Sequence, residues 1–291
     1  MAKRAICVGI NKFANYPQFA LNGCVNDAND MASLCKQVLG FKASEVTVLT
    51  DAKATKAAIM SALGAAVKDA KAGKISRLLF AWSSHGTQMT DTSGEEPDGK
   101  DEAFVPYDIA EKAGDWDPAR IITDDEFHDL FSQLPANVLL EVYLDTCHSG
   151  TGLRGAEFGL HMPRARFVAP PSHQGVGRQA AVSGFTLGAK AQSKKASAAA
   201  KKVVNAKTSA DGLHHILWSG CKANQTSADA YFSGRYNGAF TYHYIKVLRA
   251  TNNGLSRAKV IAQMRTAMNG QFSQTPQLET SATNRNSAVV L

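Results

Sequence analysis

Short apolar runs of strand length alternate along this chain with longer segments whose apolar residues recur every three or four positions. Residues 4–10 form a mostly apolar run, and 45–50, 75–82, 138–144 and 216–221 repeat that length, with 288–291 as a candidate sixth. Between them, residues 24–39 carry Val25, Ala28, Met31, Ala32, Cys35, Val38 and Leu39 at helical spacing, with Gly40 as a stop. Residues 53–72 place Ile59, Leu63 and Val67 on one helical face and end at Gly73. Further helices are predicted over 123–134, opened by Thr123 with Glu126 three residues on as a capping box, and over 238–251 and 256–269. Apolar runs with no polar face, separated by helices, predict a mostly parallel α/β sheet of about six strands flanked by helices.

Two segments break this rhythm. Residues 88–120 hold ten acids against three cations and read as a long acidic loop. Residues 152–212 are rich in Gly, Ala, Ser and Lys, with a low-complexity stretch over 189–202, and read as a mobile linker or insertion. Charge changes the picture only here. The chain carries a net +7, yet 152–212 alone holds ten cations and two anions, so the remainder is close to neutral. Five cysteines at wide spacings, with no Cys-x-x-Cys pair, argue against a disulfide framework or a thiolate zinc site. No apolar run approaches the ~18 residues of a membrane span, and the apolar stretch behind the basic start is too short for a signal peptide. A cytoplasmic protein is therefore expected.

Ligands of open parallel sheets bind beyond the carboxyl ends of the strands. There the run 78–82 leads into Ser83-Ser84-His85-Gly86, and 139–144 leads into Asp145-Thr146-Cys147-His148-Ser149-Gly150. A thiol and an imidazole then face one crevice, where imidazole raises the thiolate fraction and protonates a leaving amine. The N–H groups of Gly86 and Cys147 are candidates for holding a developing oxyanion. Alternation turns His148 to the other side of its strand, and His128, His161, His173, His214 and His215 have no partner by spacing.

At these residues the chain resembles the caspase-like cysteine peptidases, specifically the metacaspases and their bacterial relatives. The matching pieces are Gly23-Cys24-Val25-Asn26-Asp27-Ala28, Ser83-Ser84-His85-Gly86-Thr87, Glu102 to Asp108, Ile122 to Glu126 and Asp145 to Gly150. Ser219-Gly220-Cys221, Gln225-Thr226-Ser227-Ala228 and Gly238 to Tyr242 look like the family's small-subunit part. The Gln-Ala-Cys-x-Gly signature of caspases is absent, and Ser84 stands where the family often has Gly.

The resemblance implies a single caspase-like three-layer domain over 1–291. It would comprise a large-subunit-like part (1–151), the basic insertion (152–212) and a small-subunit-like part (213–291). It implies His85 as acid/base, Cys147 as nucleophile, and Asp27, Ser83 and Asp145 as the primary specificity pocket. Two carboxylates there select Arg or Lys before the scissile bond. The chemistry would need no cofactor. Calcium activation is implied through Asp124 and Asp125 with an acid after the nucleophile, near where Arg154 stands in this chain. The partners implied are protein or peptide substrates, with no membrane or nucleic acid, and a monomer is expected.

Plainer readings stand beside these. Asp27 is also placed to cap the helix over 26–39, and Asp124 with Asp125 would suit a solvated face. Two other functions compete: a caspase-like scaffold that binds basic peptides without cutting, and a nucleic-acid-binding protein using the cations of 152–212. The linker itself, between the nucleophile and the strand at Ile216, is expected to be the protein's own substrate or a gate.

Overall fold

The computed structural model describes residues 2–91, 99–147, 163–171, 215–222 and 225–289. The strands, in chain order, are β1 (Ala2–Gly9), β2 (Val46–Thr50), β3 (Ile75–Ser83), β4 (Gly86–Thr90), β5 (Lys100–Phe104), β6 (Glu111–Lys112) and β7 (Asp115–Trp116). They continue with β8 (Ile122–Thr123), β9 (Leu139–Asp145), β10 (Arg164–Ala165), β11 (His215–Ser219), β12 (Ala228–Phe232), β13 (Arg235–Gly238) and β14 (Gln277–Glu279). The helices are α1 (Cys24–Gln37), α2 (Lys56–Lys71), α3 (Asp124–Phe131), α4 (Ala239–Thr251), α5 (Arg257–Met268) and the short α6 (Ala282–Asn286).

The main sheet has the order β14-β11-β9-β3-β1-β2. β2, β1, β3, β9 and β11 run parallel, and β14 closes the edge antiparallel to β11. Its two faces explain the near-continuous apolar runs. Ile6, Val8, Leu78, Phe80, Trp82 and Val142 pack into one cluster with Ile59 and Leu63 of α2 and Phe127 of α3. Ala5, Cys7, Leu79, Ala81, Tyr143 and Trp218 pack into a second with Met31 and Cys35 of α1 and Tyr244 of α4. Every second residue of a strand faces the opposite layer, so a strand covered on both sides must be apolar at every step.

Three expectations need correction. The sixth strand is Gln277–Glu279; of 288–291, Ala288 forms only an isolated bridge to Ser256, and 290–291 lie outside the described residues. The acidic stretch 88–120 is not a plain loop. β4 pairs with β5, β5 with β8, and β6 with β7, held in part by Trp116 donating its indole N–H to Thr87 Oγ1 at 2.9 Å. Its acids 95, 96 and 98 fall outside the described residues. The described part of the basic insertion, residues 163–171, is built into the fold: β10 adds to β12 as the outer strand of a three-stranded sheet.

One polar group sits inside the apolar layers. Glu141 in β9 is fully buried and accepts from both Arg257 Nε and a terminal nitrogen of Arg257 at 2.9 Å, from Trp218 Nε1 at 2.9 Å and from Arg77. Both arginines also donate to the Val289 carbonyl, tying the end of the described chain to the sheet's centre. No helix among the described residues is long and apolar enough to cross a membrane.

Candidate active site

β3 and β9 are neighbours whose last residues, Ser83 and Asp145, are register partners. His85 and Cys147 each lie two residues beyond that pair, so the parallel register itself sets the imidazole and the thiol at one sheet edge. β11 brings a second chain end to the same edge, where Gly220 N–H donates to the Leu144 carbonyl at 2.8 Å.

His85 is buried against Phe13 and Phe19, with ring centroids 5.4 and 6.3 Å away. Its Nε2 lies 2.7 Å from the Phe19 carbonyl oxygen. A carbonyl only accepts, so Nε2 carries the proton and Nδ1 is the basic nitrogen. Nδ1 has no hydrogen-bond partner among the described residues. Burial pulls the imidazole pKa down to about 4, against the raising pull of the Phe19 carbonyl. Cys147 is fully buried; its Sγ accepts the Ser227 N–H at 2.5 Å. Cys221 lies beside it, in hydrogen-bond contact with the Cys147 thiol, which with burial pushes the Cys221 pKa up. His148, His161, His173 and His214 fall outside the described residues.

Asp27, Ser83 and Asp145 converge, and what they converge on is Arg166. This guanidinium, fully buried, came from the segment read as an exposed linker. One terminal nitrogen donates to Ser83 Oγ at 2.8 Å and to the Asp145 backbone carbonyl at 3.1 Å, with Asp145 Oδ1 also at 3.1 Å. The other donates to Asp27 Oδ2 at 2.8 Å and to Asp229 Oδ1 at 3.0 Å. Burial disfavours the Arg166 charge, but the surrounding acids outweigh it and hold the pKa well above the ordinary value. Asp27 goes up to about 6, driven by burial and opposed by Arg166.

Each carboxylate is fixed by other donors. Asp27 accepts from Ser83 Oγ, Asn237 Nδ2 and the Gly238 N–H. Asp145 accepts from the Ser227 hydroxyl and from the Thr241 hydroxyl and N–H, and Asp229 from the Asn22 and Gly23 N–H groups. The helix-cap reading of Asp27 is therefore overturned: it lies inside the first turn of α1, whose N-cap is Gly23, and its carboxylate serves the pocket. Gly238 is required by space, because a Cβ there would collide with the Asp145 carboxylate and the Arg166 guanidinium.

The backbone of this segment is equally engaged. The N–H groups of Gly86 and Cys147 both donate to the Arg166 carbonyl oxygen, at 3.0 and 3.3 Å, and the Arg166 N–H donates to the Ser227 carbonyl at 3.2 Å. Upstream, Arg164 and Ala165 pair antiparallel with Asp229 and Ala228. A peptide carbonyl polarised by two N–H groups, beside a thiol and a neutral imidazole, is the arrangement that acyl transfer requires.

A family described as Caspase domain matches residues 2–287. The chain belongs to that family. Among curated relatives, Metacaspase-1A of Aspergillus niger is 31% identical over 297 residues, covering 96% of this chain and 70% of its own. Metacaspase-1 of Cryptococcus neoformans var. neoformans is 32% identical, with 96% and 62% covered. The solved structure of GSU0716 from Geobacter sulfurreducens has a TM-score of 0.65 at 26% identity over 99% of this chain and 98% of that one. Caspase-1 from Spodoptera frugiperda shares the fold, with a TM-score of 0.55 at 13% identity over 95% and 87%. The caspase-domain protein described here is thus a cysteine-type peptidase of the caspase and metacaspase type. Its sheet has the caspase-like topology, mostly parallel and flanked by helices.

The calcium expectation finds little support in the donors. Asp124 and Asp125 open α3, where acids complement the helix's positive end, and no group of three or more His, Cys, Asp or Glu side chains suited to a metal occurs among the described residues. Calcium takes six to eight oxygens. Arg154 lies outside the described residues.

Sequence reasoning missed Asp229, Ser227 and the Phe19 carbonyl, and it counted Arg166 only as one of the exposed cations of the insertion. Asp229 directly follows the quoted Gln225-Thr226-Ser227-Ala228 piece, and Arg166 sits in a run, Pro163-Arg164-Ala165-Arg166-Phe167-Val168, that is more strand-like than the low-complexity stretch behind it.

Proposed function

We propose that the protein is an endopeptidase that cleaves after Arg, and less well after Lys, with Cys147 as nucleophile and His85 as acid/base. The observation that supports this is the seat of Arg166: its side chain bridges three carboxylates while its carbonyl oxygen accepts from the Gly86 and Cys147 amides. A substrate residue before a scissile bond would take the same contacts, and the peptide bond so presented is Arg166–Phe167.

In the reaction, the Cys147 thiol loses its proton to His85 Nδ1 and attacks the carbonyl carbon. The oxyanion forms against the Gly86 and Cys147 N–H groups, whose aim is set before the reaction begins. The imidazolium then protonates the departing amine, leaving a Cys147 thioester, and His85 takes a proton from the water that hydrolyses it. The Phe19 carbonyl keeps the ring in the tautomer that this sequence of transfers needs.

The same pose makes the protein a substrate of its own site. Incubated pure, the parent chain should yield a fragment with a new amino terminus at Phe167, while Cys147→Ala stays whole. A peptide with Arg before a fluorogenic amide should be turned over by the parent and not by Cys147→Ala or, to within a few per cent, His85→Ala. An active Cys147→Ala protein, or cleavage after Asp in place of Arg, would sink the reading. The competing nucleic-acid reading loses ground because Arg166, one of the ten cations it needs, is fully buried in the cleft.

A further inference from the structure

The segment in the cleft does not end at the bond to be cut. Burial alternates along it: Arg166 buried, Phe167 half-buried, Val168 buried, Ala169 exposed, Pro170 buried. A period of two means an extended chain with one face against the protein. Val168 is only 4% exposed and belongs to the apolar cluster on the α2 face of the sheet, together with Trp82, Phe104 and Val105.

The backbone follows the same line. Gly86 grips the segment on both sides of the bond. Its N–H donates to the Arg166 carbonyl at 3.0 Å, and its carbonyl accepts the Val168 N–H at 3.0 Å. Gly86 and Phe167 form a parallel bridge, so the segment after the cut adds to the β4 end as Arg164 and Ala165 add to β12 before it. One glycine therefore couples the placement of the reacting carbonyl to the placement of the second residue beyond it.

We propose that the cleft reads its substrates after the scissile bond as well as before it. The second residue after the cut supplies an N–H to the Gly86 carbonyl and an aliphatic side chain to the apolar seat now filled by Val168. This rests on the peptidase reading above and narrows it. The substrate class is an extended, unfolded segment with Arg, then a tolerant position, then an aliphatic residue that is not proline. Proline is excluded there because it has no N–H to donate. A substrate ending in a small amide directly after Arg uses only half of these contacts, and a charged side chain at the second position would be buried without a partner.

Internally quenched peptides copying residues 163–171 test this, assayed with the full-length parent and with full-length Arg166→Gln, which lacks the guanidinium that occupies the pocket. Three altered peptides are compared with the parent peptide: Val168→Asp, N-methylation of the Val168 amide, and Ala169→Asp as a charge control at an outward position. The expected result is cleavage after Arg, with kcat/KM at least tenfold lower for the first two and within threefold for the third. Rates within threefold for all three would overturn the inference and leave cleavage after Arg standing. An equal loss from Asp at either position would overturn it as well, since the effect would then be charge and not a seat. If neither protein cuts any peptide after Arg, the peptidase reading falls and this inference with it.

Discussion

The amide nitrogen of Cys147 lies 3.3 Å from the carbonyl oxygen of Arg166, a residue nineteen positions further along the same chain. The group proposed to attack and the carbonyl proposed to be attacked are thus joined by a short covalent tether. A tethered occupant competes at an effective concentration on the order of millimolar. External substrates must displace it, whether or not the bond after Arg166 has been cut, because the tether runs from the Arg side.

Removing the guanidinium should therefore open the site. Arg166→Gln is expected to raise kcat/KM for a free Arg peptide by about tenfold or more relative to the parent, with no fragment beginning at Phe167. Steady-state kinetics with mass analysis of the protein measures both. Unchanged or lower activity would show that self-occupation does not limit turnover.

Asp229 should determine specificity as strongly as the two acids visible in the motifs. It accepts from Arg166 at 3.0 Å with no exposure to solvent. Leaving one partner of such a pair unmatched costs roughly 2–5 kcal/mol, so Asp229→Asn should lower kcat/KM for Arg peptides by about 30-fold or more. The two terminal nitrogens of Arg166 reach different acids, which a single ammonium cannot do at once. Arg should be preferred over Lys by about tenfold or more, and equal rates on paired peptides would contradict this.

The pH profile should carry the Asp27 titration. Burial raises this carboxyl to about 6 even with Arg166 beside it to lower it. Emptying the pocket removes that cation but also admits water to the carboxyl, two changes of opposite sign, so the value of about 6 serves as the reference. An Arg side chain is bound by the ionised form, so kcat/KM should rise with pH, with its acid limb near 6, and Asp27→Asn should lose that limb. The imidazole of His85, lowered to about 4 chiefly by burial, is already neutral there. A limb at the ordinary Asp value of about 4 would contradict the assignment.

Stability should depend on Glu141. Burial opposes its charge, but the Arg257 hydrogen bonds and the Arg77 charge hold its carboxyl below the ordinary value. Glu141→Gln strands two guanidinium groups in the core and should cost about 3–5 kcal/mol. Urea unfolding in the Cys147→Ala background, where self-cleavage cannot interfere, gives the number; a loss under about 1 kcal/mol, the scale of an exposed pair, would contradict it. Because the folded pKa is depressed, the stabilisation is present above the ordinary Glu pKa and is lost as pH falls through the folded value.

The amino-acid sequence by itself determined the layered sheet, five of its six strands, the five longer helices and the neighbouring chain ends that carry His85 and Cys147, but not the short α6. Those are local signals. A strand buried on both faces is apolar at every step, and α3 announces itself through the reciprocal Thr123–Glu126 cap, found intact. Ser83 and Asp145 came through the resemblance alone, and the structure sets them as register partners at the ends of β3 and β9. The sixth strand, Gln277–Glu279, escaped because three residues at an antiparallel edge carry no periodicity. Only the tertiary structure decided that Arg166 fills the pocket, that Asp229 joins it and that the Phe19 carbonyl holds His85. Arg166 meets Asp27 across 139 residues and Asp229 across 63, and Phe19 meets His85 across 66. Within its own stretch Arg166 is one cation among ten, of the kind that water normally solvates. A guanidinium leaves water only where acids already fixed by other donors compensate its charge, and those acids are assembled from α1, β9 and β12 only when the chain has folded.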